Sequence, residues 1–163
     1  MYMIDETNKL LREISPEFNF NNPPIDPIQF AKDIAESLMN TSGVGLAANQ
    51  VGLPHRCFVI RSNPILVMYN PIIVDYSKKE VYMDEGCLSF PNLIIKIKRP
   101  EHIRMRFTLP NGEVKTEKYT GMTSRIIQHE YDHLNGIIYT DRATRYHREM
   151  AQKKCLKLRK TIW

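Results

Sequence analysis

Gln128-His129-Glu130-Tyr131-Asp132-His133 is the stretch on which the reading of this chain turns. Residues four apart on an α-helix lie about 40° apart around its axis, so imidazoles at 129 and 133 project from one face. Glu130 follows the first of them, where a carboxylate reaches a metal-bound water without ligating the metal. The flanking residues favour a helix. Thr120 or Thr123 offers an N-cap oxygen, Arg125-Ile126-Ile127 continues the run, and Asn135-Gly136 is a stop signal. The plain alternative is a surface helix carrying two ordinary histidines.

Upstream, Asp26-Pro27 opens another helix, an Asp cap with Pro at the first helical position. Ile28, Ala31, Ile34, Ala35 and Leu38 recur there at helical spacing and predict a buried face. Short extended runs follow at Cys57–Arg61, Leu66–Tyr69 and Ile72–Asp75, punctuated by Asn63-Pro64 and Asn70-Pro71. Ile94–Lys98 and His102–Leu109 are further strands. In the second, Ile103, Met105, Phe107 and Leu109 alternate with polar residues, and Pro110-Asn111-Gly112 turns it back into Glu113–Tyr119. A last helix is expected from about Thr144 to Arg159. Helix, strands and helix joined by hairpin turns read as an α+β fold, with antiparallel sheet against which the 129–133 helix lies.

The 163 residues fit one domain with a substantial core, and no apolar run approaches the roughly 18 residues of a membrane span. The opening Met1-Tyr2-Met3-Ile4-Asp5-Glu6 is neither a secretory signal nor an Arg-rich transit peptide, although a mature organellar form stays open. Three unpaired cysteines, Cys57, Cys87 and Cys155, suit a reducing compartment, and a cytoplasmic location is expected. The net charge of +5 is unevenly placed. From Arg142 onward eight Lys and Arg face Glu149 alone, a net +7, which leaves −2 on the first 141 residues.

Two histidines do not hold a catalytic metal; a third protein ligand is needed, with one position left open. The extended metalloprotease pattern H-E-x-x-H-x-x-G-x-x-H is matched up to its last position, where Tyr139 stands in place of His. Glu149 is a conceivable downstream carboxylate ligand, but it sits among arginines that would pair with it. Cys87 is the stronger candidate, lying in Glu85-Gly86-Cys87-Leu88-Ser89-Phe90-Pro91, where glycine permits close backbone approach and proline sets the exit direction. Cys57 reads as a core thiol in Cys-Phe-Val-Ile. A third segment, Gly43-Val44-Gly45-Leu46-Ala47-Ala48-Asn49-Gln50, combines small residues with a glutamine whose amide can donate to an oxygen; read alone, it also fits a helix end and a turn.

Together these three segments resemble the peptide deformylase family, whose pattern runs G-x-G-x-A-A-x-Q, E-G-C-L-S and Q-H-E-x-D-H in that order. They stand intact here at Gly43–Gln50, Glu85–Ser89 and Gln128–His133, and the resemblance extends from about Asp26 to Asp141. It implies antiparallel sheets packed around a central helix carrying the metal motif. It also implies a hydrolase that removes the N-formyl group from the formyl-methionine of nascent polypeptides and releases formate.

By motif matching, Cys87, His129 and His133 bind one divalent metal, with water in the fourth position. Fe²⁺ is the ion the resemblance favours in the cell; Zn²⁺, Ni²⁺ and Co²⁺ also suit the ligands. Glu130 is the implied proton-transfer residue, and the Leu88 backbone N–H and the Gln50 side chain are the implied oxyanion donors. The substrate wall falls to Val44, Gly45, Glu85, Met122 and Ile126, with His129 beside them. Arg99 and Arg125 match recurrent arginines and are expected to pair with acids such as Glu85 and Asp132. N-formylmethionyl peptides are thus the expected partners, with neither membrane nor DNA. The basic tail raises a further expectation, that it binds ribosomal RNA where formylated chains emerge. The competing account is a solvated amphipathic helix that packs Met150, Leu156 and Leu158 on the body.

Overall fold

The computed structural model describes residues 2–161, with side chains to 157. Its elements are α1 (Pro27–Met39), β1 (Gly45–Ala47), β2 (Cys57–Ile60), β3 (Leu66–Tyr76), β4 (Glu80–Cys87), β5 (Phe90–Pro100), β6 (His102–Thr108), β7 (Val114–Thr120), α2 (Gly121–Leu134), the single turn α3 (Tyr139–Arg142) and α4 (Arg145–Thr161), with 3₁₀ turns at Lys9–Arg12 and Ala48–Val51. Five strands form one antiparallel sheet in the order β1-β2-β3-β6-β7, and β4 and β5 form a separate hairpin.

Alternation along the strands feeds two different cores. Leu46, Cys57, Val59, Val67 and Tyr69 point to α1, joining Phe30, Ile34 and Leu38. Ala47, Phe58, Ile60 and Met68 point the other way with Ile103, Met105 and Phe107, onto Ile127 and Leu134 of α2. β2 is therefore covered on both faces, which is why Cys-Phe-Val-Ile is continuously apolar. Burial pushes the Cys57 thiol far above its ordinary pKa, as expected of a core thiol. A third cluster packs Ile95 and Ile97 of β5 against Leu11, Tyr139 and Ala151.

Several boundaries differ from those read in the sequence. Leu66–Tyr69 and Ile72–Asp75 are one bulged strand, because Asn70 adopts φ 47° before Pro71 and its side chain clamps Phe18, accepting from its N–H at 2.7 Å and donating to its carbonyl at 2.8 Å. In α1 the Asp26 cap accepts from Gln29 N–H at 2.8 Å, but Ile28 lies half exposed in the first turn and Phe30 fills the stripe instead. Thr120 occupies the N-cap position of α2 without a side-chain bond. The other end is the expected stop. Gly136 N–H reaches the His133 carbonyl at 3.2 Å and Ile137 N–H the Asp132 carbonyl at 3.0 Å, the paired bonds of a Schellman turn. Gly136 has φ 68°, and a Cβ there would lie 2.5 Å from the Arg12 carbonyl oxygen.

Candidate metal centre and active site

The hairpin of β4 and β5 carries Cys87 at its tip, paired with Phe90, while α2 presents His129 and His133 one turn apart. The ligand atoms of Cys87, His129 and His133 lie within 4.8 Å of one another, the only such cluster among the described residues. Cys87 Sγ is 3.3 Å from His133 Nε2. Tetrahedral ligation at about 2.0–2.3 Å places ligand atoms roughly 3.4–3.6 Å apart, so this spacing suits a single cation.

His129 is oriented from behind. Its Nδ1 lies 3.0 Å from Glu85 Oε2, which keeps the proton on that nitrogen and frees Nε2. Glu85 is itself held by Arg99, through Nε at 2.7 Å and Nη2 at 3.0 Å, and by Arg125 Nη1 at 2.8 Å. Burial would raise the Glu85 carboxyl, but His129 and Arg99 outweigh it and hold it well below the usual range. Arg99 Nη1 continues to Asp132 at 2.6 Å, and Arg142 closes on Asp132 at 2.7 and 3.1 Å. Arg142, counted in the sequence with the basic tail, closes this network from the surface.

The two imidazoles stand in different electrostatic surroundings. Burial disfavours the charged form of both imidazoles, yet hydrogen bonds to Cys87 and Glu85 raise His129 to about 10. His133, desolvated and beside His129, is held far below its usual value. Two imidazoles and a thiol in one pocket, with a carboxylate behind the first, form a donor set suited to a divalent ion.

Glu130 lines the same cleft as Cys87 and His129. One carboxylate oxygen packs against Gly45, where an added Cβ would lie 2.4 Å away, and the other is buried without a hydrogen-bond partner in the protein. Burial, reinforced by Glu85 and opposed by His129, raises its carboxyl to about 7. Gln50 follows β1 in the 3₁₀ turn. Its Oε1 accepts from Ala47 N–H at 2.9 Å, which turns Nε2 toward Cys87 Sγ at 3.4 Å and Ser89 Oγ at 3.3 Å.

A cleft of about 480 Å³ collects Val44, Gly45, Gln50, Cys87, Leu88, Met122, Ile126, His129 and Glu130. His133 is sealed beneath it, 1% exposed. Glu85 also borders the cleft, but Arg99, Arg125 and His129 engage its carboxylate, so its part in a substrate wall is to hold that wall in place.

Four contributors were not read from the sequence. Asn49 donates to the His133 carbonyl at 2.7 Å, and its place inside the Gly43–Gln50 segment was the available signal. Ser89 touches Gln50. Arg56 binds the Leu134 carbonyl at 3.1 Å and Asn135 Oδ1 at 3.0 Å, a cation at the C-terminus of α2 with no sequence signature. Tyr139, at the position of the third metalloprotease histidine, packs 5.5 Å from the His129 ring and donates its hydroxyl to the Leu93 carbonyl. Glu149 forms an exposed pair with Arg145 at 2.7 Å. Neither residue joins the cluster.

This convergence of three soft donors, a buried carboxylate and an amide donor in one cleft is that of a metal-dependent hydrolase. Comparison with known proteins narrows the class. The family model for polypeptide deformylase matches residues 3–149. A peptide deformylase of Microchaete diplosiphon is 42% identical over 120 residues, covering 70% of this chain and 64% of that protein. One from Thermotoga petrophila is 37% identical over 129 residues, 78% of each. The solved peptide deformylase of Plasmodium falciparum superposes with a TM-score of 0.87 at 27% identity, covering 98% of this chain and 96% of that one. That of Synechococcus elongatus in complex with actinonin gives 0.86 at 30%, over 94% and 84%. The chain belongs to the peptide deformylase family.

Proposed function

We propose that this chain, as one catalytic domain, hydrolyses the N-formyl group of formyl-methionine at the start of nascent polypeptides and releases formate. Cys87, His129 and His133 are the proposed ligands of one divalent cation. Family membership supports the reaction, and the observation that carries the residue roles is the meeting of the Cys87 sulfur, two imidazoles and the Glu130 carboxylate at one cleft. A divalent cation in such a set lowers the pKa of a water molecule and polarises a carbonyl.

Glu130, with a carboxyl near 7, accepts a proton from the attacking water and delivers it to the departing amine. Gln50 Nε2 and the Leu88 N–H donate to the oxyanion that develops on the former formyl oxygen. Met122 and Ile126, four apart on α2, form with Val44 an apolar wall for the methionine side chain. Gly45 keeps clear the space that the Glu130 carboxylate occupies.

Fe²⁺ is the proposed ion in the cell; Zn²⁺, Ni²⁺ and Co²⁺ satisfy the same donors. Metal analysis after anaerobic purification checks this, with iron near one equivalent as the expected result. The cytoplasm, where formylated chains are made, is the proposed location. The deciding experiment is formate release from a formyl-Met peptide, with and without a hydroxamate chelator. Chelator-sensitive release supports the reading, and cleavage at internal peptide bonds instead would point to a metal-dependent endopeptidase, the class whose extended motif the chain matches up to Tyr139.

The ribosome is a proposed partner through α4, whose exposed Arg145 and Arg148 support an RNA contact. Because Arg142 pairs with Asp132, cutting after Asp141 would disturb the site, so Arg145→Glu/Arg148→Glu is the cleaner test. Salt-sensitive cosedimentation with ribosomes should be lost in that variant.

A further inference from the structure

A second depression, about 750 Å³, runs between the outer face of β5 and α4. Ile94, Met150 and Leu156 give it an apolar floor, and each is more than half exposed. Lys96, Lys153 and Lys154 stand around it as exposed side chains. The one acid among its lining residues is Asp84, which faces Lys96 across the hairpin and so balances that lysine, leaving the excess positive charge on α4. Asp84 and Ile94 also border the active-site cleft, so the two depressions adjoin at a shared edge.

We infer that this groove binds the part of the nascent chain that follows the formyl-methionine, and that it selects acidic segments with interspersed apolar residues. The inference rests on the deformylase reading and goes beyond it, since nothing in the reaction requires contact outside the 480 Å³ cleft. A cleft of that size takes a ligand of drug-like dimensions, whereas the substrate is a polypeptide that continues past its rim. The α4 residues along the groove run from Tyr146 to Lys157, roughly 16 Å of helix at about 1.5 Å per residue. That length matches about five residues of extended chain at about 3.3 Å each. Its chemistry also discriminates among occupants. A lysine rim above methionine, leucine and isoleucine complements a carboxylate-bearing peptide with apolar side chains, and the Tyr146 and His147 rings at the start of the groove add further surface for such side chains.

The test compares the full-length, metal-loaded enzyme on formyl-Met-Ala-Ser and on the same tripeptide extended by four Glu, four Gln or four Lys, reading formate. The Glu-extended peptide should show a KM about fivefold to tenfold below the Gln-extended one at low salt, with kcat unchanged, as a few exposed ion pairs would produce. The difference should vanish at about 0.5 M salt, where the Debye length falls to a few ångströms. In Lys153→Glu/Lys154→Glu it should vanish or invert, while tripeptide turnover stays at the wild-type value and reports an intact fold. Equal KM for the Glu and Gln peptides in the wild type would overturn the inference. So would a preference that survives the double substitution, or a concentration-dependent dimer that buries the groove. Failure of every peptide, the tripeptide included, would instead count against the deformylase reading from which the inference starts.

Discussion

The helices α2 and α4 invert one another. Of the fourteen residues in α2, nine are buried, and seven of those are polar or charged: Ser124, Arg125, Gln128, His129, Glu130, Asp132 and His133. α4 is longer, yet among its described side chains only Ala151 and Cys155 are buried, while Tyr146, Met150 and Leu156 face outward. A buried polar group costs free energy unless it is partnered, so α2 is held in place by what its side chains bond to. In α4 the large apolar side chains Tyr146, Met150 and Leu156 lie where the body does not cover them. Hydrophobic periodicity therefore describes neither helix: α2 buries polar side chains, and the large apolar side chains of α4 stay uncovered.

The contrast breaks most severely if α2 is not the chemical centre. Glu130→Gln should lower kcat by about 10²–10⁴ with metal content unchanged, the usual range for losing a general base. Cys87→Ala should lose the metal itself, along with activity. Metal analysis alongside formate release separates the two variants. A Cys87→Ala protein with a full complement of metal would remove the sulfur from the site and favour a metal-dependent endopeptidase with a different third ligand.

A second blow falls on the network behind the site. Glu85→Ala leaves the buried Arg99 and Arg125 guanidinium groups without their carboxylate, and breaking a buried pair in this way costs about 3–5 kcal/mol. Denaturant unfolding measures it; a loss below about 1 kcal/mol would mean that α2 is anchored elsewhere. The pH dependence has a definite sign. The folded Glu85 carboxyl is lowered, so its contribution is complete above the unfolded value of about 4.3 and is lost as pH falls through the folded value. Glu85→Gln should accordingly unfold less steeply in acid. Next in size is Gln50→Ala, which removes one oxyanion donor and should reduce kcat about a hundredfold, roughly 3 kcal/mol, with metal retained.

How much of this was legible in the sequence depends on whether a residue's role is local. The 129–133 pair, the Gly136 stop and the β6–β7 hairpin are local patterns, and they stand where periodicity and turn chemistry put them. The Arg99 and Arg125 pairing with Glu85 was implied by motif resemblance, and the Arg99 link to Asp132 was too. β4 escaped notice because its buried position is Glu85, a charge where a strand pattern calls for an apolar residue. β1 is three residues of a glycine-rich segment and exists through pairing with β2, fifteen positions away at Gly45 and Ile60. Arg142 was misread with the tail because its partner, Asp132, is set beside it by the turn after α2 rather than by helical spacing.

The smallest expected effect sharpens the contrast from the α4 side. Packing of Met150 and Leu156 on the body was one account of the tail; both are instead more than half exposed, and Leu158 lies outside the described side chains. The buried contact is made by Ala151, in the cluster with Leu11, Ile95 and Tyr139. Met150→Gln should therefore change stability by no more than about 0.5 kcal/mol, the range of an ordinary surface substitution. Ala151→Asp, one position along, should cost several times that, because it buries an unpaired carboxylate among apolar side chains. Thermal unfolding of the two single variants reads the difference directly. Equal losses would show that the outer face of α4 is packed in the folded monomer, and α4 would then obey the same rule of burial as any core helix.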